Sequence, residues 1–209
     1  MSSLELLYLG GAAIFAATGV LAAARQDMDV LSLVIIGIVT AVGGGTLRDL
    51  MLDVEVFWIH DPLTVSVAAA AALLTFFMER RARVTEQVLL YLDGIATAMF
   101  AILATEKTLL LGHNAGIALV MGVITAIGGG LLRDVITGHP TVLMRREIYI
   151  TPVLAGGLLH LALRSGTDLI PTTVAIASIV LVAALRLAAL RFGWAFPLWL
   201  TYRGGSGKR

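Results

Sequence analysis

Apolar residues fill long, nearly continuous stretches of this chain, and short polar connections separate one stretch from the next. Each stretch is close to the ~20 residues that an α-helix needs to cross a lipid bilayer. None of them alternates apolar and polar positions as a membrane-spanning β-strand does, so the pattern predicts helices. Seven segments are predicted to span the membrane: 4–24, 30–52, 62–78, 85–104, 114–136, 148–163 and 171–190.

The composition is typical of an integral membrane protein. Hydrophobic residues make up 58% of the chain, charged residues make up 14%, and the mean hydropathy is +0.93. Soluble domains carry about 25% charged residues. Cysteine is absent, which excludes disulfides and thiolate chemistry, and no basic stripe suggests a nucleic-acid partner. We therefore predict an all-α integral membrane protein with a single membrane domain over residues 1–209.

Positive charge is unevenly distributed between the two predicted sides of the membrane. The connections on one side hold only Lys107 and Arg164 as basic residues. The other side, with the C-terminal tail, holds Arg25, Arg80, Arg81, Arg83, Arg145, Arg146, Arg191, Arg203, Lys208 and Arg209. Because Lys and Arg concentrate in the cytoplasm, we predict an outer N-terminus, a cytoplasmic C-terminus and a flexible tail over 203–209. The predicted interfacial aromatic anchors are Trp194, Trp199 and Tyr202.

One phrase occurs twice, 85 residues apart, inside the second and fifth segments. Three glycines, two further residues and an Arg-Asp pair make up each copy. The first copy holds Gly43, Gly44, Gly45, Arg48 and Asp49, and the second holds Gly128, Gly129, Gly130, Arg133 and Asp134. The repeat extends over 4–79 and 85–164 and leaves the helix at 171–191 outside it. Since each unit has three helices, the second enters the membrane inverted, as in many transporters.

The glycine triplets have two interpretations. Each glycine in a helix interior costs ~1 kcal/mol relative to alanine, so a triplet favours a kink or break. A break near the membrane centre would free carbonyl groups of residues 39–42 and 124–127, and such carbonyls are cation ligands. Alternatively, the triplets allow close helix packing, as small residues do in membranes. Close packing is also the expected role of the glycine pairs 10–11 and 156–157.

The charged residues of the repeated phrase are unusual in a membrane-spanning segment. Arg48 and Arg133 need acceptors, and because neighbours on a helix do not face each other, we expect these on another helix, with Asp93 as a candidate. The charged groups either line a polar path or lock the repeats together. Thr40 and Thr125 either point hydroxyls into such a path or bond back to their own helix. The sign of a transported ion stays open at this stage.

Catalysis and metal binding find no support in the sequence. No nucleophile–base pair or phosphate loop is recognisable, so no enzyme activity and no cofactor are predicted. The four histidines, His60, His113, His139 and His160, share no metal-ligand spacing. We interpret His160 as a packed polar residue. No metal beyond transient monovalent cations is expected.

The duplicated Gly-Gly-Gly-x-x-Arg-Asp phrase, with seven segments, resembles the prokaryotic members of the trimeric intracellular cation (TRIC) channel family. The resemblance implies a seven-helix fold, a 3+3 inverted repeat plus a seventh helix, in a prokaryotic inner membrane. It also implies a homotrimer with one pore per protomer, permeable to K⁺ (or Na⁺) and lined by the second and fifth segments. By position, the kinks fall at residues 43–45 and 128–130, and the pore-side charges are Arg48, Asp49, Arg133 and Asp134.

Two other functions stay open. Bacterial relatives of this kind are also labelled glycine transporters, so a secondary transporter of a small zwitterion such as glycine is the alternative. Helix ends of both signs at broken helices would hold a carboxylate and an ammonium group together. A non-conducting membrane scaffold, in which the glycines serve only packing, is the third.

Overall fold

The structure, a computed structural model, describes residues 3–24, 26, 28–82, 85–144 and 148–197. In this part the chain forms eight α-helices and one short 3₁₀ turn, Val142–Met144. The helices are α1 Ser3–Ala23, α2 Val30–Met51, α3 Phe57–His60, α4 Leu63–Ala82, α5 Glu86–Leu110, α6 Ala115–Ile136, α7 Ile150–Gly166 and α8 Pro171–Phe192. Arg25, Arg83, Arg145, Arg146, Trp199, Tyr202 and the tail over 203–209 lie outside the described residues.

The protein is a membrane protein built from helices. Six of the described helices, α1, α2, α4, α5, α6 and α8, are long and apolar enough to cross a bilayer. α7 is shorter, with 17 residues. The apolar span of α5 is 67% buried by the other helices, whereas that of α4 is 17% buried. α5 is therefore the central helix of the bundle and α4 a peripheral one.

The two helices that carry the repeated phrase are built alike. α2 and α6 both have 22 residues, and their N-caps, Asp29 and Asn114, are 85 positions apart. Asp29 Oδ1 accepts hydrogen bonds from the backbone of Leu31 and Ser32, and Asn114 Oδ1 accepts one from Ile117. Side-chain acceptors of this kind satisfy the free N–H groups of a first helical turn. Both helices therefore begin at corresponding positions.

α5 extends further than its apolar pattern indicates. The predicted segment ends at 104, and Glu106 and Lys107 were assigned to a connection, but the helix continues to Leu110. Glu106 is 2% exposed, and both side chains find ionic partners on neighbouring helices. Charged residues that are paired inside the bundle can continue a helix, which a hydropathy pattern cannot show. α4, α7 and α8 likewise end two to four residues beyond their predicted segments.

Candidate functional site

α2 and α6 cross in direct contact at the two glycine triplets. A Cβ atom added at Gly44 would overlap the carbonyl oxygen of Thr125, and one added at Gly129 would overlap the carbonyl oxygen of Thr40. At Gly128 an added Cβ would lie 3.0 Å from Gly44 Cα. No residue larger than glycine fits such an approach of two backbones, as at other close helix crossings in membranes. The structure supports the close-packing interpretation of the triplets.

The predicted break in these helices is wrong. Both α2 and α6 run without interruption through their glycines, so the carbonyls of residues 39–42 and 124–127 are not freed. Glycine has a low helix propensity, but here it lets the two backbones pack closely, and this packing stabilises both helices through the triplets. A kink that keeps the helices continuous stays a prediction.

The threonine hydroxyls bond to their own helices. Thr40 Oγ1 donates to the Ile36 carbonyl at 2.7 Å, and Thr125 Oγ1 donates to the Met121 carbonyl at 2.7 Å. Both side chains are buried, with 0% and 1% exposure. The back-bonding interpretation is confirmed, and a role of these hydroxyls in lining a path stays a prediction.

The contacts at the crossing occur in corresponding pairs. Adding 85 to Thr40 and Gly44 gives Thr125 and Gly129, so the Gly44–Thr125 contact corresponds to the Gly129–Thr40 contact. Each Arg-Asp pair follows its glycine triplet by about one helical turn.

Arg133 is fully paired at one side of the crossing. Its Nε donates to Asp134 Oδ1 at 2.8 Å, and its Nη1 donates to Asp93 Oδ1 at 2.8 Å and to Thr18 Oγ1 at 3.0 Å. Asp93 also accepts a hydrogen bond from the Tyr149 hydroxyl at 3.0 Å. All of these side chains are buried. The prediction that Asp93 supplies an acceptor from another helix is confirmed for Arg133.

Arg48 has fewer partners, although it belongs to the same phrase. Its Nε donates to Asp49 Oδ1 at 2.8 Å, and no described residue on another helix accepts from it. Asp49 instead receives the Lys107 ammonium, at 3.0 and 3.1 Å from its two oxygens, and the Phe57 amide at 3.1 Å. For Arg48 the predicted acceptor on a second helix is therefore missing.

Both arginines bond the aspartate that follows them, contrary to the expectation that neighbours on a helix do not pair. Adjacent Cβ atoms diverge on a helix, but an arginine side chain is long enough for its Nε to fold back toward the next residue. Lys107 and Tyr149 were not predicted as partners of these charged residues. Lys107 could have been noticed, because it is one of only two basic residues in the predicted connections on its side of the membrane. Nothing in the sequence distinguished Tyr149.

A further polar cluster joins α5 to α7. Glu106 Oε2 is 2.9 Å from His160 Nε2 and accepts a hydrogen bond from Arg164 Nε at 3.1 Å. His160 is fully buried, which agrees with its interpretation as a packed polar residue. Gly156 and Gly157, on the same helix, pack against Val182 and Leu119.

A cavity of about 60 Å³ lies beside Arg133 and Asp134. Its other described lining residues are Leu21, Ala22, Glu86, Leu89 and His139. The volume is sufficient for water, because a buried water needs about 10–15 Å³ of such space. Among the described residues no three or more His, Asp or Glu side chains are grouped so that they could hold a metal ion. The site therefore consists of charged pairs and hydrogen bonds at the two sides of a glycine crossing.

Comparison with known proteins identifies the family. A family model described as "Glycine transporter" matches residues 5–80 and 90–165. The inner membrane protein YadS of Escherichia coli K12, a UPF0126 protein, is 36% identical over 197 residues, which cover 93% of this chain and 95% of that protein. The chain belongs to the family that this model describes and that includes the UPF0126 membrane proteins. A UPF0126 membrane protein of Vibrio cholerae is 37% identical over 199 residues, covering 94% of this chain and 82% of the relative.

Solved structures of TRIC channels share the fold. The TRIC orthologue from Rhodobacter sphaeroides matches with a TM-score of 0.87 and 38% identity, covering 93% of this chain and 100% of that one. A second TRIC cation channel matches with a TM-score of 0.82 and 26% identity, over 94% of this chain and 97% of that one. The resemblance to prokaryotic TRIC channels is confirmed. Like them, this protein is a membrane protein with several long apolar helices.

Proposed function

We propose that the protein is a homotrimeric channel for monovalent cations, permeable to K⁺, with one path in each protomer. The observation that carries the proposal is the match to two TRIC channels at 38% and 26% identity, each over more than 90% of this chain. The UPF0126 relative from Escherichia coli is named an inner membrane protein. We accordingly place this channel in the inner membrane of a prokaryotic cell, with the N-terminus outside.

The finer architecture belongs to the same proposal. We infer a 3+3 inverted repeat, α1 to α4 and α5 to α7, with α8 as the seventh long helix. Two observations support it: the family model matches the chain twice, and the contacts at the glycine crossing recur with an offset of 85 residues. Such a repeat would relate the Arg48 and Arg133 ends by a two-fold axis in the membrane plane.

The proposed path runs past charged side chains beside the crossing. Arg48 and Asp49 mark one end and Arg133 and Asp134 the other, where the 60 Å³ cavity offers a mouth. Buried carboxylates inside otherwise apolar helices are typical of ion pathways. Because α2 and α6 touch at the glycines, we assign the described conformation to a closed state. Opening would separate the two helices at the crossing.

The second candidate is a carrier of a small zwitterion such as glycine. The description of the family model favours it, and the Arg48 end has guanidinium nitrogens without a hydrogen bond to any described residue. Helix ends created by a break no longer support this function, since α2 and α6 are continuous. A scaffold without transport would use the crossing for packing alone.

Reconstitution into planar bilayers tests the proposal. We expect unitary K⁺ currents, and a reversal potential in a KCl gradient that follows K⁺ more than Cl⁻. Asp49→Asn should lower that selectivity, since it removes a buried carboxylate from the proposed path. Glu55→Gln is the control, because Glu55 is an exposed carboxylate that contacts His60. Saturable glycine uptake without unitary currents would replace the channel by the carrier.

A further inference from the structure

The Arg48 guanidinium is completely buried, yet two of its three nitrogens make no hydrogen bond. Nη2 lies 2.8 Å from Asp49 Oδ1, but only Nε approaches that oxygen with hydrogen-bond geometry. Nη1 has no acceptor in hydrogen-bond geometry among the described residues. A guanidinium carries five N–H donors, and buried donors without acceptors are costly, more so when charged. The site therefore needs an acceptor that the described residues do not supply.

The Tyr8 hydroxyl is a second buried group without a partner, at the same place. It lies 2.8 Å from the position that a Cβ would take at Gly45. Gly45 and Arg48 are three residues apart on α2 and share a helix face. The hydroxyl lies close enough to Arg48 to interact with it as a hydrogen-bond partner, but the two groups do not meet in ordinary hydrogen-bond geometry. Two buried donor groups without a well-formed hydrogen bond thus meet between α1 and α2.

The charges around these two groups sum to an excess of one positive charge. Arg48 and Lys107 contribute two positive charges, and Asp49, which both contact, contributes one negative charge. Asp49 and Arg48 are 0% exposed, and the Lys107 side chain is 33% exposed. Excess charge in a low-dielectric interior attracts a counter-ion strongly. Water would satisfy the donors but would leave this charge uncompensated.

The other end of the crossing shows which group is missing. Arg133 Nη1 reaches the carboxylate of Asp93 at 2.8 Å. Position 93 corresponds to position 8 after the offset of 85, so Tyr8 stands where the other end has a carboxylate. The guanidinium is thus complemented by an internal anion at one end, and the corresponding place at the other end has none.

We infer that a small anion, a halide or a short carboxylate, binds between the Arg48 Nη atoms and the Tyr8 hydroxyl. The anion accepts the hydrogen bonds of both groups and offsets the excess positive charge that Lys107 creates. Binding itself is independent of the transport activity. One consequence rests on the proposed function: with the anion bound, a cation passing Asp49 meets a neutral rather than a positive end.

Thermal unfolding of the purified protein tests the binding. Replacing 300 mM potassium gluconate by chloride should raise the unfolding temperature by about 4 °C. Formate and glycine form two further arms. Stabilisation by formate and glycine but not by chloride assigns the site to carboxylates, and stabilisation by chloride and formate alone assigns it to small inorganic or unsubstituted anions. No response to any of these anions overturns the inference and leaves the donors to water.

Variants at Tyr8 separate this site from a general salt effect. Tyr8→Asp gives Arg48 an internal carboxylate like the one that Asp93 gives Arg133. The rise in unfolding temperature caused by chloride should therefore fall to less than a quarter of its original size. Tyr8→Phe removes one donor and should weaken anion binding severalfold without changing the fold. Tyr91→Phe is the control, since Tyr91 lies near the opposite end of α5 from Lys107. An undiminished response in both Tyr8 variants contradicts the site.

Two further measurements locate the anion and keep the inference distinct from the proposed function. Crystals grown in bromide should show an anomalous peak next to the Arg48 Nη atoms, and a peak only elsewhere would overturn the assignment. K⁺ conductance in bilayers should fall at least twofold when chloride is replaced by gluconate. If stabilisation and bromide binding occur but no K⁺ current is seen, the anion site stands and the channel proposal fails. If K⁺ currents are equal in both salts and no anion raises the unfolding temperature, the channel proposal stands and the anion site fails.

Discussion

The two ends of the α2–α6 crossing carry the same Arg-Asp pair but complete it differently. Arg133 is bonded by Asp134, Asp93 and Thr18, three acceptors on three helices. Among the described residues, only Asp49 accepts from Arg48 in ordinary hydrogen-bond geometry. The difference comes from the helices that surround the crossing, since α1 contributes Tyr8 where α5 contributes the corresponding carboxylate. A repeated motif therefore does not determine its own electrostatics.

The same comparison holds for the second partner of each aspartate. Lys107 of α5 reaches Asp49, and the corresponding residue of α1 is Ala22, which lines the cavity beside Asp134. α2 and α6 have equal lengths, N-caps at corresponding positions and matched contacts. α1 and α5 have diverged at the positions that face them. The crossing is thus the common scaffold, and the first helix of each repeat makes the ends different.

The largest effect is expected at the crossing, where the two halves are equivalent. Gly44→Ala and Gly129→Ala each place a methyl group into a backbone carbonyl of the other helix. Because neither backbone can yield as a side chain does, each change should destabilise by about 3 kcal/mol or more. Unfolding in mixed detergent micelles measures it, and the two losses should agree closely.

Gly94→Ala is the matched control for these substitutions. Its added Cβ would meet Arg186 Cβ at 3.5 Å, an ordinary contact in a helix interior. Because alanine has a higher helix propensity than glycine, Gly94→Ala should leave the free energy of unfolding unchanged or raise it by up to about 1 kcal/mol. Unequal losses at Gly44 and Gly129, larger than the experimental error, would show that the crossing is itself asymmetric.

The next largest effect separates the two ends directly. Asp93→Ala removes the buried carboxylate that accepts from both Arg133 and Tyr149, and breaking this buried pair should cost about 3 kcal/mol. Tyr8→Phe removes a hydroxyl that has no hydrogen bond of ordinary geometry to a described residue, so in gluconate it should change stability by less than about 0.5 kcal/mol. Detergent unfolding of both variants gives the comparison. A large loss at Tyr8 would mean that its hydroxyl is satisfied in the folded protein.

Much of the fold follows from patterns that the sequence displays openly. Apolar length predicts the long helices because the bilayer imposes a similar length on each of them. The offset of 85 residues correctly pairs the helices that cross. Asp93 was identified as an acceptor for Arg133, since a buried guanidinium in hydrocarbon must be paired and few carboxylates occur in the segments.

The remaining errors share one physical cause. Glycine triplets were expected to break α2 and α6, but whether glycine breaks a helix or admits a neighbour depends on what approaches it, which is a tertiary property. Lys107 was assigned to a connection because its charge is unfavourable in lipid. Its compensation by Asp49, 58 positions away, is not visible in any local window.

A smaller effect is expected at Lys107, where the ends differ in charge. Lys107→Met removes the ammonium but keeps the length of the side chain, and Asp49 retains Arg48 and the Phe57 amide. Because Lys107 is partly exposed, the loss of stability should be only about 1 kcal/mol. In bilayers the lost positive charge should raise K⁺ conductance by about twofold. Lys107→Arg, which keeps the charge, should preserve the conductance of the natural protein, and a lower conductance in Lys107→Met would contradict an ammonium at a cation path.

The smallest difference lies at the helix starts, where Asp29 and Asn114 cap α2 and α6. Hydrogen bonds from the Ser32 side chain, and then from the backbone of Ser32 and Leu31, lower the pKa of Asp29 below its usual 3.8. A carboxylate with a lowered pKa stabilises the folded state above the pKa of the unfolded chain, and this contribution disappears as the pH falls through the folded value. Acidification should therefore weaken the cap of α2 but not that of α6, since Asn114 does not titrate. Carbon NMR of labelled aspartate should give Asp29 a midpoint below 3.8, and Ser32→Ala should move it upward. A midpoint at or above the usual value would show that the cap hydrogen bonds do not form, and Asp29→Asn should make the two helix starts equally insensitive to pH.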